Sequence, residues 1–221
     1  MAFTLRVATE ADINGLIAVW NSAFWQPNVQ AVFPDTPTGR EWRRKSFERS
    51  MKTSSQHCTH MIVTDDSEEG KGKVVALGRW FRYAPGEFED DWRTRWEPVL
   101  ADDMKLEMVE KAFFDPMVTQ HRAVMEERAH YCMYFNVSND ERKLMAVVLE
   151  VLATDKEYQK KGLGSRILTC ICEKADSEGV ELYLDGGKDA QPLYEKFGFV
   201  EQVDKRQPKA PAPMLRPAKR T

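Results

Sequence analysis

VLATDKEYQKKGLGS, residues 151–165, is the stretch that decides the fold of this chain of 221 residues. It begins inside Met145–Thr154 (MAVVLEVLAT), an apolar run with a single charge, Glu150, which is typical of a buried central strand. After it, residues 165–177 have their apolar side chains at helical spacing and predict an amphipathic helix. A buried strand, a short polar loop and a helix in this order predict an α/β fold.

Two glycines at the start of the helix, Gly162 and Gly164, indicate that a ligand approaches the backbone closely there. The first N–H groups of a helix lack internal partners, and together with the helix dipole they attract an anion such as pyrophosphate. Lys160 and Lys161 add positive potential. The third glycine of a dinucleotide-binding turn and the Gly-Lys-Ser/Thr of a P-loop are both missing. The loop is therefore predicted to bind pyrophosphate in another kind of fold.

Two motifs in this order resemble the GCN5-related N-acetyltransferase (GNAT) family. Gln159–Gly164 (QKKGLG) fits the family's Gln/Arg-x-x-Gly-x-Gly/Ala phosphate loop, and Leu193–Phe199 (LYEKFGF) fits its Leu-Tyr-x-Lys-x-Gly-Phe motif at the usual separation. The chain looks most like fungal GNAT proteins of unassigned substrate. The resemblance implies an α/β (α+β) GNAT fold. Its mixed, mostly antiparallel sheet of about six to seven strands would be splayed at the cofactor site and flanked by helices.

The resemblance also implies acetyl-CoA as the cofactor and a role for each site residue. Backbone groups of Leu152, Ala153 and Thr154 would pair with the pantetheine arm like an added strand, and Tyr194 would protonate the leaving thiolate. Gly187 stands where the family often has an Asn. The residues of the phosphate loop would hold the pyrophosphate: Gln159, Lys160, Lys161, Gly162, Leu163, Gly164 and Ser165.

Amine attack on a thioester also needs a group that takes up the proton of the amine. Glu150 is the first candidate, because a carboxylate in an apolar strand is costly unless it is used or paired. A salt bridge to a neighbouring strand is an equal alternative for Glu150. His130 is the second candidate, since imidazole titrates in the useful range, although a structural histidine is the commoner role. A chain of water molecules remains a third possibility.

We expect one domain over residues 1–221, with an acidic, helical insertion at about 85–139 and a Pro-rich basic tail at about 205–221. Trp25, Trp80, Trp92 and Trp96 are interpreted mainly as packing residues, with a shared aromatic substrate pocket as the alternative. The predicted elements are strands at 3–7, 57–64, 73–83, 130–137, 145–154, 180–184, 199–203 and around 214–215, and helices at 13–24, 39–51, 104–128 (broken near 115–116), 165–177 and 189–196, with a loop at 26–37.

Composition narrows the class of partner. A net charge of −3 with 30% charged residues does not suggest nucleic acid or a membrane surface as a partner. No apolar run reaches the length of a membrane span, and the N-terminus does not read as a secretory signal. We therefore expect a cytoplasmic protein, a monomer or a homodimer. The cluster of His57, Cys58 and His60 lacks a second half at ligand spacing, so no metal is predicted.

Three functions fit the sequence. The first is transfer of an acetyl group from acetyl-CoA to the primary amine of a small molecule, by direct attack on the thioester. The second is acetylation of a protein N-terminus or lysine. The third is a non-catalytic CoA-binding module, or a GNAT scaffold reused in a biosynthetic pathway.

Overall fold

This computed structural model describes residues 2–53, 58–83, 91–125 and 146–219. Within these ranges the strands are β1 (Phe3–Val7), β2 (Cys58–Asp65), β3 (Lys73–Tyr83), β4 (Ala146–Thr154), β5 (Glu181–Gly186), β6 (Val200–Glu201) and β7 (Ala212–Arg216). They form one sheet in the order β1-β2-β3-β4-β5-β7-β6. β4 and β5 are parallel, and the other neighbouring strands are antiparallel. The predicted α/β class with a mixed, mostly antiparallel sheet is confirmed.

Helices cover both faces of the sheet. They are α1 (Ile13–Ala23), α2 (Pro27–Gln30), α3 (Pro37–Thr53), α4 (Asp115–Met125), α5 (Leu163–Glu178) and α6 (Gln191–Lys196), with a π-helix at Met108–Phe114 directly before α4. α5 and α6 pack on one face, around Ile167, Leu168 and Tyr194. α1, α3 and the π-helix pack on the other, around an aromatic cluster that includes Trp20 and Trp96.

The opening of the chain follows its sequence signal. The backbone N–H of Thr9 donates to Asp12, 2.8 Å away, and this contact starts the turn that leads into α1. Arg6 of β1 donates two hydrogen bonds to the same carboxylate. Its guanidinium lowers the pKa of Asp12 to about 2. The predicted first strand and first helix are confirmed.

Two predicted elements are wrong in detail. The loop expected at 26–37 contains the short helix α2, which has a proline at its first position, where proline is tolerated. The break expected near Pro116 is absent, since the π-helix continues directly into α4. A proline lacks its N–H and crowds the carbonyl group four residues earlier. A π-turn, in which the Asp115 N–H donates to the Glu110 carbonyl, widens the helix there.

Three further predictions have different outcomes. The strand expected at 199–203 is limited to Val200–Glu201, and the chain then turns away. The last strand, expected around 214–215, is β7, which lies inside the sheet between β5 and β6. The strand expected at 130–137 falls outside the described residues. The boundaries of the single domain and of its insertion stay predictions.

Candidate active site

β4 and β5 part halfway along their length. Their parallel pairing runs from Ala146↔Glu181 to Leu149↔Leu184, although β4 continues to Thr154. On its other side β4 remains paired with β3, but the register shifts and leaves Glu150 as an extra residue. A bulge of this kind bends a strand and increases its twist. The sheet therefore opens where the sequence predicted a splay.

The opening leaves one edge of β4 without a strand partner in the described part of the chain. Leu152, Ala153 and Thr154 pair with β3 and lie beyond the last pair with β5. Their backbone groups on the side of β5 are therefore available to an extended ligand. The arrangement fits the predicted site for a pantetheine arm.

The predicted phosphate loop lies at the start of α5. Gly162, with φ 77°, occupies the cap position, and Lys160 also has a positive φ of 62°. A glycine cannot cap a helix with a side chain, so the first N–H groups, including those of Leu163 and Gly164, receive no side-chain acceptor from the cap residue. A Cβ on Gly162 would have no atom within 4 Å, so the space beside it is open. The geometry suits an anionic group.

The other loop residues surround this helix start. Ser165 lies in the first turn of α5, and Gln159 donates from Nε2 to the carbonyl of Thr154 at 3.4 Å. Lys160 and Lys161 are exposed, and the Lys161 ammonium lies 4.3 Å from the centre of the Tyr158 ring. A Cβ on Gly164 would lie 3.8 Å from Thr154 Oγ1. The structure thus brings the predicted loop beside the free edge of β4.

Tyr194 lies on α6, next to this loop. Its side chain is 6% exposed and packs edge-to-face against Phe199. Its ring also lies against Gly186, where a Cβ would be only 3.3 Å from Tyr194 Cδ2. Burial raises the pKa of Tyr194 to about 12. Among the residues that the structure describes, none forms a hydrogen bond with this hydroxyl.

Gly187, the departure from the family pattern, precedes α6. Its carbonyl accepts hydrogen bonds from the N–H groups of Ala190 and Gln191, at 2.9 and 3.1 Å. A Cβ at Gly187 would meet no atom within 4 Å. The space that an Asn side chain would occupy is therefore open.

Glu150 is held by cations. Its carboxylate lies 3.4 Å from Arg79 Nε and 3.2 Å from Arg95 Nε, and it accepts a hydrogen bond of 2.9 Å from Trp96 Nε1. Arg79 is fully buried on β3, with its guanidinium stacked on the Trp96 ring at 4.2 Å. The salt bridge to a neighbouring strand, one of the two alternatives for Glu150, is therefore present. His130 lies outside the described residues, and its role stays a prediction.

A second carboxylate at the opening, Asp185, was missed by the sequence reasoning. It lies on β5 and accepts hydrogen bonds from the Tyr183 hydroxyl, at 2.8 Å, and from the Gln120 amide. Burial raises the pKa of Asp185 to about 7. The sequence signal that could have identified Asp185 was an aspartate within an otherwise apolar strand. Its partner Gln120 could not be identified in this way, because it is distant in sequence.

The four tryptophans do not line a common pocket. Trp92 and Trp96 belong to the aromatic cluster on the α1 side, whereas Trp80 packs on the α5 side. Trp25 is 56% exposed. Among the described residues no group of three His, Cys, Asp or Glu side chains could hold a metal, and none of the helices is long and apolar enough to cross a membrane.

A family model matches part of the chain, and solved structures share its fold. Residues 120–201 match the family model of an acetyltransferase (GNAT) domain. An arylalkylamine N-acetyltransferase 2 from Aedes aegypti is 13% identical, with a TM-score of 0.65, and the match covers 99% of this chain and 100% of that chain. A histone acetyltransferase HPA2-related protein from Corynebacterium glutamicum is 19% identical, with a TM-score of 0.56 over 100% and 99% of the two chains.

A third solved structure contains coenzyme A. The PaiA N-acetyltransferase from Thermoplasma acidophilum, in complex with coenzyme A, is 11% identical, with a TM-score of 0.53 over 98% of this chain and 99% of that chain. At these identities the structures establish a common fold. No curated protein matches the chain.

Proposed function

We propose that this chain, which carries an acetyltransferase domain of the GNAT family, acetylates the primary amine of a small molecule. A domain of this family takes its acyl group from acetyl-CoA. One observation carries the proposal: the free edge of β4 lies beside the uncapped start of α5. An extended pantetheine arm and its pyrophosphate require these two features together.

The residues present fit acetyl-CoA. Backbone groups of Leu152, Ala153 and Thr154 would bind the pantetheine arm, and N–H groups from Lys160 to Ser165 would hold the pyrophosphate. Bound in this way, acetyl-CoA supplies an activated acetyl thioester. The Tyr194 hydroxyl, which stays protonated at neutral pH because burial raises its pKa to about 12, would donate a proton to the leaving sulfur.

Direct transfer is favoured over an acyl-enzyme on a cysteine. A thiolate is the nucleophilic form, and burial raises the pKa of Cys58 to about 11 and that of Cys172 above its usual value. Cys172 also lies on α5, on the face that packs into the core. These two thiols are therefore unsuited to nucleophilic catalysis.

The helices that pack on the α1 side of β4 support a small molecule as the acceptor. The π-helix, α1 and the segment around Trp96 pack together against β4, so this side of the strand is covered by an aromatic cluster. The name of the Aedes aegypti protein, arylalkylamine N-acetyltransferase, describes acceptors of this kind. A cytoplasmic location and the choice between monomer and homodimer remain part of the proposal.

The test begins with calorimetric titration of the protein with acetyl-CoA and CoA. We expect micromolar binding, about −8 kcal/mol. A thiol-release assay then compares 2-phenylethylamine, spermidine, free lysine and a peptide with a free N-terminus and a lysine side chain. Turnover of the small amines supports the proposal, and turnover of the peptide alone replaces it with protein acetylation. Absence of acetyl-CoA binding overturns the proposal.

A further inference from the structure

The point where β4 and β5 part is flanked by two carboxylates. The last pair of the two strands is Leu149↔Leu184, and the next residue on each strand is acidic: Glu150 on β4 and Asp185 on β5. Both side chains point to the face of the sheet that carries the π-helix and α4. Glu150 contacts Trp96 of the aromatic cluster on that face, and Asp185 contacts Gln120 of α4. An acceptor reaching the opening from this face would meet both.

The surroundings of the two carboxylates differ in charge. Glu150 neutralises two buried guanidinium groups, those of Arg79 and Arg95. The Glu150 carboxylate is therefore engaged in ion pairs with cations at a buried site, where breaking a pair is costly. Within the described ranges, the donors to Asp185 are both neutral, the Tyr183 hydroxyl and the Gln120 amide. Proton uptake at Asp185 therefore removes a buried charge.

We propose that Asp185 is the general base of the acetyl transfer and takes the proton from the ammonium group of the acceptor. The inference rests on the proposed function and extends it, because it assigns a step to a residue outside both family motifs. With Asp185 in this role, the site binds the primary amine in its protonated form, as an ammonium ion.

One oxygen of Asp185 is available for this task. Tyr183 and Gln120 both donate to Oδ1, and nothing in the described ranges donates to Oδ2. Gln120 is itself fixed, because it also donates to the Pro211 carbonyl and accepts from the Gln207 N–H. As a residue, Asp185 is intermediate in exposure, between the buried Leu184 and Gly186. Its carboxylate is oriented through Oδ1, and Oδ2 is the oxygen left for the proton of an acceptor.

The titratable neighbours of Asp185 leave it free to change charge near neutral pH. The ring of His121 on α4 packs at a tilt against the Tyr183 ring, with 4.6 Å between the ring centres, and burial lowers the pKa of His121 to about 3, so it is neutral at pH 7. Arg95 lies near enough to His121 to lower that pKa further. Burial also raises the pKa of Tyr183, which stays a proton donor. With its own pKa at about 7, Asp185 is matched to the working pH of a general base.

In the proposed transfer the acceptor nitrogen loses two protons, and the acetyl group passes from sulfur to nitrogen. The ammonium group gives one proton to Asp185 Oδ2, which later releases it to solvent. The amine lone pair then attacks the acetyl carbonyl carbon, the N–C bond forms and the C–S bond breaks. The thiolate takes a proton from Tyr194, and the second proton lost by the nitrogen restores Tyr194. Ammonium ion and acetyl-CoA thus give the amide, CoA thiol and one proton.

The test compares wild type with Asp185→Asn in the thiol-release assay, with Asp204→Asn as the control because Asp204 is 79% exposed. We expect Asp185→Asn to lower kcat/KM for 2-phenylethylamine by about 10²- to 10⁴-fold, with an unchanged calorimetric Kd for acetyl-CoA. Wild-type kcat/KM should rise with pH up to about 7, where the base becomes ionised. The variant should lose this rise, and Asp185→Glu, which keeps the acid, should retain a rise at a shifted pH.

A second acceptor separates proton removal from structural support. In 2,2-difluoro-2-phenylethylamine the fluorines lower the basicity of the amine, so that more of it is uncharged at neutral pH. Asp185→Asn should lose much less activity with this amine than with 2-phenylethylamine. Equal losses, or an unchanged pH profile of the variant, would overturn the role of Asp185 while leaving the proposed function standing. No turnover by wild type with any amine would overturn both.

Discussion

Glu150 and Asp185 show how the partners of a side chain decide its role. Both are carboxylates beside the same opening, yet Glu150 is paired with two arginines and Asp185 with an amide and a phenol. The sequence motifs identify neither role. A carboxylate in an apolar strand signals a special position, but whether it is structural or catalytic depends on residues elsewhere in the chain.

Replacing Glu150 by Gln should destabilise the protein strongly. The substitution keeps the shape but removes the carboxylate that pairs with the buried Arg79 and with Arg95, and removing one partner of a buried ion pair costs about 3–5 kcal/mol. Denaturant unfolding followed by circular dichroism measures the change. The matched control is Glu157→Gln, since Glu157 is 80% exposed and its distant pair with Lys73 should contribute about 0.5 kcal/mol or less.

The opposite result would change the assignment of the base. If Glu150→Gln unfolds at the wild-type denaturant concentration and yet loses turnover, then Glu150 acts on the substrate and the salt bridge is secondary. Unfolding and activity measured on the same preparation therefore separate the two alternatives that the sequence left open.

Tyr194→Phe should reduce turnover without weakening acetyl-CoA binding. The substitution removes only the hydroxyl, and the ring keeps its contacts with Gly186 and Phe199. Loss of a positioned acid lowers kcat by about 10²-fold or more. Steady-state kinetics and calorimetry give the two quantities. An unchanged kcat would remove Tyr194 from the mechanism, whereas a lost Kd would make it a binding residue.

At the scale of elements, α5 joins the core to the cofactor loop. Both its ends are capped by glycines in the left-handed region, Gly162 with φ 77° and Gly179 with φ 65°. A Cβ at either position meets no atom within 4 Å, so steric space is equal at the two ends. Only Gly162 lies in the predicted phosphate loop. The two glycines therefore form a matched pair for testing where the helix binds its ligand.

Gly162→Ala and Gly179→Ala should lower stability alike but affect ligand binding differently. A left-handed conformation costs an L-residue roughly 1–2 kcal/mol, and this predicts similar decreases in the free energy of unfolding. Only Gly162→Ala should also weaken acetyl-CoA binding, by about tenfold or more if the loop relaxes away from the pyrophosphate. Calorimetry on both variants measures this. Equal Kd values would place the anion site elsewhere.

The elements differ in how well the sequence predicted them. β4, the phosphate loop and α5 follow one another in the chain, so local spacing and the family motif together were enough. The continuous helix through Pro116 was missed because a π-turn accommodates the proline. Whether a helix tolerates a π-turn depends on packing, which local spacing does not reveal. Asp185 was missed as a site residue because its orienting group, Gln120, is 65 residues away in sequence and is itself held by Gln207 and Pro211 of the C-terminal segment.

At the scale of the whole molecule, the C-terminal segment that contains β7 supports the strands that form the site. β7 lies between β5 and β6, pairing from Leu182↔Arg216 to Gly186↔Ala212, and all five of its residues are buried. β7 thereby supports the edge of β5 that faces away from the opening. Its pairing continues to Gly186, whereas the pairing of β4 with the other edge ends at Leu184. Arg216 adds a buried hydrogen bond to the Phe197 carbonyl and an ion pair with Asp176 of α5. A segment that composition describes as a basic tail is part of the core.

Truncation after residue 206 should therefore prevent folding, whereas truncation after residue 217 should not. The shorter chain loses all of β7, including the buried side chains of Met214 and Leu215. The edges of β5 and β6 that pair with β7 are then exposed. The longer chain keeps β7 and loses the pair between Lys219 and Asp176, a surface interaction with Lys219 68% exposed and worth about 1 kcal/mol at most. Cooperative thermal unfolding and acetyl-CoA binding are measured on both. If residues 1–206 alone unfold cooperatively and bind acetyl-CoA, β5 needs no support from β7, and its pairing with β4 together with α4 is enough to hold Asp185 at the opening.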